Sequence, residues 1–173
     1  GVQTVCSSDL APVPVSAASQ RVPAVYDIRP STVDEMLAHA GPLFDANFAE
    51  LERHKGVAHV APDAARYHAL EQAGAMFILC AFHEDTMVGY SINFVMPHPH
   101  YSGMVTSLND LLFVHPAHRA KVGLRLISAT ERWARERGAA LQLWCANPNT
   151  KLDSVLAARG CAVQEIIYSK GLH

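Results

Sequence analysis

The chain reads as a mixed α+β domain, an antiparallel meander of strands followed by a strand-helix-strand unit. Three observations predict this. Two apolar runs, residues 76–82 (MFILCAF) and 87–96 (MVGYSINFVM), are separated only by the polar HEDT and so form a β-hairpin. A third run, residues 104–114 (MVTSLNDLLFV), follows the loop PHPHYSG and extends the hairpin into a meander. A helical pattern over 121–137 then leads to the apolar run 140–146 (ALQLWCA), and two strands of one sheet joined by a crossover helix lie parallel.

At 173 residues and 50% hydrophobic content the chain fits one domain with a single core. No apolar run approaches the roughly 20 residues of a membrane-spanning helix. The first residues lack the basic start and compact apolar stretch of a signal peptide, so no membrane association is expected. With 14 basic and 16 acidic residues the formal charge is -2, which gives no electrostatic reason for a nucleic-acid partner and points to a small molecule or a protein. Cys6, Cys80, Cys145 and Cys161 show no C-x-x-C spacing, and three of them lie in apolar runs. They read as buried reduced thiols, which suit a cytoplasmic protein. The 10 histidines are scattered, and no metal site is expected from them.

In chain order, residues 1–23 are rich in Ala, Val, Ser and Pro without sustained periodicity, and are expected to be a flexible extension before a domain at 24–173. AVYDIRP (24–30) alternates as a first strand. Ser31 or Thr32, followed by Asp34 and Glu35, marks a helix start. Met36, Leu37, Leu43, Phe44, Phe48 and Leu51 recur at helical spacing to about His54, with Gly41-Pro42 breaking the pattern into two helices. A third helix is expected over 62–72 with Pro62 at its first position. After the meander, the helix over 121–137 places Val122, Leu126, Ala129 and Trp133 on one face and stops at Gly138. Asn147-Pro148 makes a turn, residues 150–159 a short helix ended by Gly160, and AVQEIIYSK (162–170) a last strand.

The stretch with chemical content is LFVHPAHRAKVGLRLI (112–127), a strand end, a basic turn and a helix start. The first N–H groups of a helix lack intrahelical partners and its dipole favours negative charge, so such a turn can hold a phosphate. The candidate donors are Arg119, Ala120, Lys121, Val122, Gly123 and Leu124, with Gly123 permitting close approach and Arg119 and Lys121 adding charge. The alternative is an ordinary strand-to-helix connection whose basic turn is solvated.

This element order, with VHPAHRAKVG after the strand, resembles the GCN5-related N-acetyltransferase (GNAT) family over roughly residues 24–170. In that family the pyrophosphate loop reads R-x-x-G-x-G/A after a strand ending in V-x-P. Here V-x-P, Arg119 and one glycine are kept and the loop is shortened or altered. A second segment resembles the family's N-x-x-A-x-x-L-Y-x-x-x-G-F: Asn149 and Gly160 are in place, while Leu152, Val155, Leu156 and Cys161 stand where Ala, Leu, Tyr and Phe are usual. That Tyr protonates the departing CoA thiolate in many relatives. The run HYSGMVTSLNDLLFVHPAHR also resembles, more loosely, small acetyltransferases encoded by phages and prophages.

The resemblance implies a sheet whose parallel strands four and five splay apart, acetyl-CoA as co-substrate, and an amine acceptor attacking it directly in a ternary complex. Pantetheine amides would pair with backbone near Leu112, Phe113 and Val114, and an N–H such as that of Phe113 would face the developing oxyanion. Asn149 would border the cofactor. Members commonly dimerise, so a homodimer is implied as well.

Asp110 is the leading base candidate, four residues before Val114 and of the same strand parity as Leu112 and Val114 unless a bulge intervenes. Partial burial would raise its pKa toward a useful value. Its alternative role is structural hydrogen bonding. Asn109 and Ser107 are further polar candidates on this strand. His98, His100 and Tyr101 in the preceding loop are candidates for acceptor binding, or belong to a solvated turn. His115 and His118 flank the basic turn. Tyr168 and Cys145 are the candidate substitutes for the acid lost at position 156, unless they only pack. The competing function is a GNAT-fold module, weak or inactive as an enzyme, that recognises or occludes a macromolecular partner.

Overall fold

The computed structural model describes residues 25–51, 61–168 and 170. The expected extension at 1–23, Cys6 and the stretch around His54 lie outside the described residues. The strands are β1 (Tyr26–Ser31), β2 (Met76–His83), β3 (Thr86–Pro97), β4 (Val105–Val114) and β5 (Leu141–Trp144), hydrogen-bonded in that order in one sheet. The first four run antiparallel to their neighbours and β4 pairs with β5 in parallel, which is the meander followed by a βαβ unit that the apolar runs predict.

Helices α1 (Val33–His39), α2 (Gly41–Leu51) and α3 (Ala64–Gln72) fall between β1 and β2, α4 (Arg119–Glu136) between β4 and β5, and α5 (Lys151–Ala158) after β5. Local chemistry sets their starts. Thr32 accepts the Glu35 N–H and Thr150 accepts the Asp153 N–H through their hydroxyls. The third helix begins two residues later than expected. The Asp63 carboxylate takes the Arg66 N–H at 3.0 Å, so Pro62 stands before the cap instead of at the first helical position. His115 and Pro116 nucleate a 3-10 turn over Pro116–His118 that runs directly into α4, which therefore starts at Arg119 instead of at residue 121.

The sheet is covered on both faces. On one, α1 and α2 press Val33, Met36, Leu43 and Phe44 against Ile78, Cys80, Tyr90, Ile92 and Phe113. On the other, Val122, Leu126 and Ala129 of α4 meet Phe77, Leu79, Val88 and Val114. Because β2 and much of β3 are covered twice, they are buried almost without alternation, as doubly covered strands require. Gly89 lies where β3 and β4 approach closely: a Cβ there would stand 2.9 Å from the Phe113 carbonyl oxygen.

Two expectations are corrected. Residues 162–168 form no strand and are exposed throughout; among the described residues no strand pairs with them, and an unpaired strand is not stable in water. Of the cysteines, only Cys80 is buried among the described residues. Cys145 falls just past the end of β5 and Cys161 just past the end of α5, and both are exposed.

Candidate functional site

The candidate site is the gap that opens between β4 and β5. Their pairing runs from Thr106↔Leu141 to Asn109↔Trp144, and the Cys145 N–H to the Asn109 carbonyl at 3.3 Å extends it one step further. From Asp110 to Val114, β4 has no partner strand on that side among the described residues. The gap therefore exposes about half of a strand's backbone edge, and β4 leads through the 3-10 turn to the start of α4, where among the described residues no side chain caps the helix and no acidic residue lies in the first turn.

A bulge decides which way the side chains in this gap point. Ile92 pairs with Leu111 but Asn93 pairs with Asn109, so Asp110 is the extra residue on β4. Its effect is held in place by Asn109. That residue is wholly buried toward α4, where its Nδ2 lies within hydrogen-bond distance of Ser91 Oγ (3.0 Å), Asn93 Oδ1 (2.9 Å) and the carbonyls of Ile92 and Leu111 (3.2 Å each). Ser91 Oγ reaches Thr130 of α4 at 2.8 Å, which ties the cluster to the helix. Ser107, also wholly buried, and Asn109 each leave one side-chain oxygen without a partner.

With Asn109 facing α4, Asp110 faces the other side, shared with Leu111 and Phe113. It does not share the side of Leu112 and Val114, so the parity expected without a bulge is corrected. Asp110 is accessible to solvent yet surrounded by protein, and burial raises its pKa above the ordinary carboxylate value. Two neighbours feel its charge. Tyr67 of α3 and the solvent-accessible Cys145 beyond β5 both have raised pKa values, first because surrounding protein partly desolvates them and second from the Asp110 carboxylate. Tyr67 went unnoticed in the sequence, since a lone tyrosine in a weakly amphipathic helix carries no signal. Behind it Tyr90, fully buried, accepts a 2.9 Å hydrogen bond from Asn47 Nδ2.

The 119–124 stretch is the first turn and a half of α4, not a loop. Gly123 is helical with open space where a Cβ would project, Val122 is in the core, and Lys121 and Leu124 are exposed. Arg119 does not point freely outward. Its Nε donates to the Val114 carbonyl at 2.8 Å, its guanidinium lies 5.4 Å from the Phe113 ring centre, and both Nη atoms bond the Glu50 carboxylate of α2. His118 is turned toward β1, its Nδ1 3.1 Å from the Tyr26 hydroxyl. Burial, with His83 and His115 nearby, lowers its pKa.

The remaining candidates lie further off. His98, His100 and Tyr101 cluster in the β3–β4 loop, with the His98 and Tyr101 ring centres 4.5 Å apart. Val105, where that loop ends, lies roughly 17 Å along β4 from Asp110 at about 3.3 Å per residue. Asn149 is exposed in the turn before α5, with a left-handed φ of 63° and its N–H bonded to Asp153. Leu156 is buried in place of the family tyrosine, and Tyr168 is 89% exposed on the unpaired segment after α5.

Comparison with known proteins bears on this arrangement. The model of the Acetyltransferase (GNAT) family matches residues 43–160. Among solved structures, a ribosomal-protein-alanine N-acetyltransferase from Brucella melitensis biovar Abortus 2308 superposes with a TM-score of 0.63 at 22% identity, covering 86% of this chain and 99% of that one. An aminoglycoside acetyltransferase from an uncultured soil metagenomic sample gives 0.68 at 19% identity, over 86% and 97% of the two chains. AAC(6')-Iy in complex with the bisubstrate analogue CoA-S-monomethyl-acetylneamine gives 0.62 at 20% identity, over 86% and 99%. At these identities the likeness is one of fold. No curated protein sequence matches the chain.

Proposed function

We propose that this chain, which belongs to the Acetyltransferase (GNAT) family, transfers an acetyl group from acetyl-CoA to a primary amine by direct attack in a ternary complex. The observation that carries this reading is the half-open edge of β4, from Asp110 to Val114, leading to the uncapped start of α4. A linear molecule with amides along its length and a pyrophosphate at one end fits such a groove. The amides bond Leu112, Phe113 and Val114 as a substitute strand, and the phosphates lie at the N–H groups of the first turn of α4. The thioester then lies near the bulge, with a backbone N–H such as that of Phe113 facing the oxygen on which charge develops.

Asp110 accepts, directly or through one water, the proton that the amine must lose. The amine nitrogen bonds to the carbonyl carbon, the carbon–sulfur bond breaks, and the CoA thiolate takes a proton from solvent or from a nearby acid. With Leu156 where the family tyrosine stands, that acid is not at position 156. Cys145, which feels the Asp110 carboxylate, is the better placed of the two candidate substitutes, since Tyr168 projects into solvent.

The acceptors for which similar structures are named, an alanine of a ribosomal protein and aminoglycosides, are both amines, and a primary amine is the shared class we assign to this chain. The test is thiol release from acetyl-CoA with amine panels, together with calorimetry. Micromolar acetyl-CoA binding and amine-dependent thiol release are expected. Asp110→Asn should leave the dissociation constant unchanged while lowering turnover, and unchanged turnover would reject the role of Asp110.

One observation favours the second reading, a fold-retaining module that recognises a macromolecule. Arg119, the cation that should meet the phosphates, is held by Glu50 and the Val114 carbonyl. Absence of acetyl-CoA binding at near-millimolar ligand would favour it.

A further inference from the structure

Three histidines outside the proposed reaction meet at the start of α4. His118 closes the 3-10 turn, and its ring centre lies 5.2 Å from that of His83, at the end of β2, and 5.8 Å from that of His115. Tyr26 of β1 completes the group. Its ring centre is 5.2 Å from His83 and 5.8 Å from His118, and its hydroxyl is 3.1 Å from His118 Nδ1. His115 also holds the turn itself: its Nδ1 accepts the Ala117 N–H at 3.4 Å, while its backbone N–H donates to the Val88 carbonyl at 2.8 Å.

This arrangement needs neutral imidazoles. A protonated His115 carries a hydrogen on Nδ1 and can no longer accept the Ala117 N–H, so the cap of the turn is lost. A cation on His118 faces His83 and His115 as like charges, at the end of α4 where the helix dipole already disfavours positive charge. Little around the cluster relieves this. α4 brings Arg125, which bonds the Tyr26 carbonyl, and an exposed Lys121, while Arg119 is drawn to Glu50. Of the acids nearest in sequence, Asp27 pairs with Arg29, and Glu84 and Asp85 lie in the β2–β3 turn. Among the described residues no carboxylate forms an ion pair with any of the three histidines. Burial first, and the two neighbouring imidazoles second, hold the His118 pKa below the ordinary histidine value.

We propose that His83, His115 and His118 form a proton-operated catch on the start of α4: neutral, they hold the turn Pro116–His118 closed, and their charging releases it as pH falls through the histidine range. The sign follows from linkage. The folded chain binds the His118 proton less tightly than the unfolded one, so this group's contribution to stability is full above the unfolded pKa and is lost as pH falls through the folded one. The catch adjoins the first turn of α4, so acid loosens the end of the gap assigned to the phosphates. That consequence rests on the acetyl-transfer reading; the catch itself does not.

The test is an NMR titration of the full chain without ligand, from about pH 8 to about pH 5, which spans the histidine range. Histidine ring signals are followed together with backbone amide exchange corrected for its intrinsic pH dependence. The amides of 117–122 are expected to lose protection several-fold, with the midpoint at which His118 charges, while those of β2 and β3 keep theirs. His83→Asn removes a charge from outside the turn. It should return the His118 midpoint toward the ordinary value and shrink the loss of protection. His118→Asn keeps a side chain suited to a helix start and should shrink it too. Both variants should keep the parental circular dichroism at neutral pH. Three outcomes overturn the proposal: protection at 117–122 that does not change across the titration, a loss shared equally by the whole sheet, or a loss of parental size in both folded variants. Because no acetyl-CoA is present, a chain that fails to transfer acetyl groups can still show the catch, and an active one can lack it.

Discussion

Asp110 and Asn109 are neighbours on β4 that face opposite sides of the sheet in different environments, Asn109 wholly buried and Asp110 open to the gap. Burial lifts the Asp110 carboxyl above the ordinary carboxylate pKa, so if Asp110 is the base of the proposed reaction, kcat/KM should fall as pH drops through that raised value. Asp110→Asn should remove this acid limb and lower kcat roughly a hundredfold or more. The same shift acts on stability with a definite sign. The folded state holds the proton more tightly than the unfolded chain, so this group's contribution is full below the unfolded pKa and is lost as pH rises through the folded one. Asp110→Asn should therefore melt higher than the parent at neutral pH and no higher at acidic pH, which calorimetric scans at the two pH values would reveal. Asn109→Ala removes a buried amide whose two N–H groups are shared among four nearby acceptors and should cost about 1–3 kcal/mol in denaturant unfolding, because part of that buried hydrogen bonding is lost. Turnover should fall as well, since the bulge that aims Asp110 loses its clamp. Both residues are visible in the sequence as polar breaks in an apolar strand. Which faces the gap is not, because one extra residue reverses the parity.

At the level of elements, the α2–α4 connection sets how the phosphate end of the gap behaves. Glu50 and Arg119 form a paired contact with each side chain 42% exposed, so its worth to stability is small and salt-sensitive. Its effect on binding is larger if Arg119 must leave Glu50 to meet phosphate. Glu50→Gln should then tighten acetyl-CoA several-fold by calorimetry with little change in melting temperature, whereas weaker binding would mean that Arg119 acts from its present position. Helix starts at Thr32 and Thr150 were legible because hydroxyl caps act locally. The start of α4 was not, since the 3-10 turn at Pro116–His118 draws the basic stretch into the helix, and Arg119 takes its partner from α2, distant in sequence.

On the scale of the whole molecule, a sheet covered on both faces holds the two halves of the gap at a fixed separation, and ligand binding should stabilise the assembly as one unit. Acetyl-CoA at a hundred times its dissociation constant should add about 2.7 kcal/mol, read as a rise in melting temperature that grows with the logarithm of concentration. No rise would argue against binding to the folded chain. Much of the fold was present in the sequence alone: the apolar runs, their lengths and the turns between them specify the meander, the crossover and the parallel pair, because period and connection length are local properties that leave few topologies open. The same local pattern promised a sixth strand over 162–170, and that expectation failed for a tertiary reason. Apolar alternation measures the capacity to be a strand, but a strand exists only where another edge supplies its hydrogen bonds. Only the tertiary structure decided where β4 and β5 part, that Asp110 lies on the side of Leu111 and Phe113 while Asn109 faces α4, and that Arg119 is held by Glu50. Each of these depends on register and distance between segments far apart in sequence, which the order of the residues does not record.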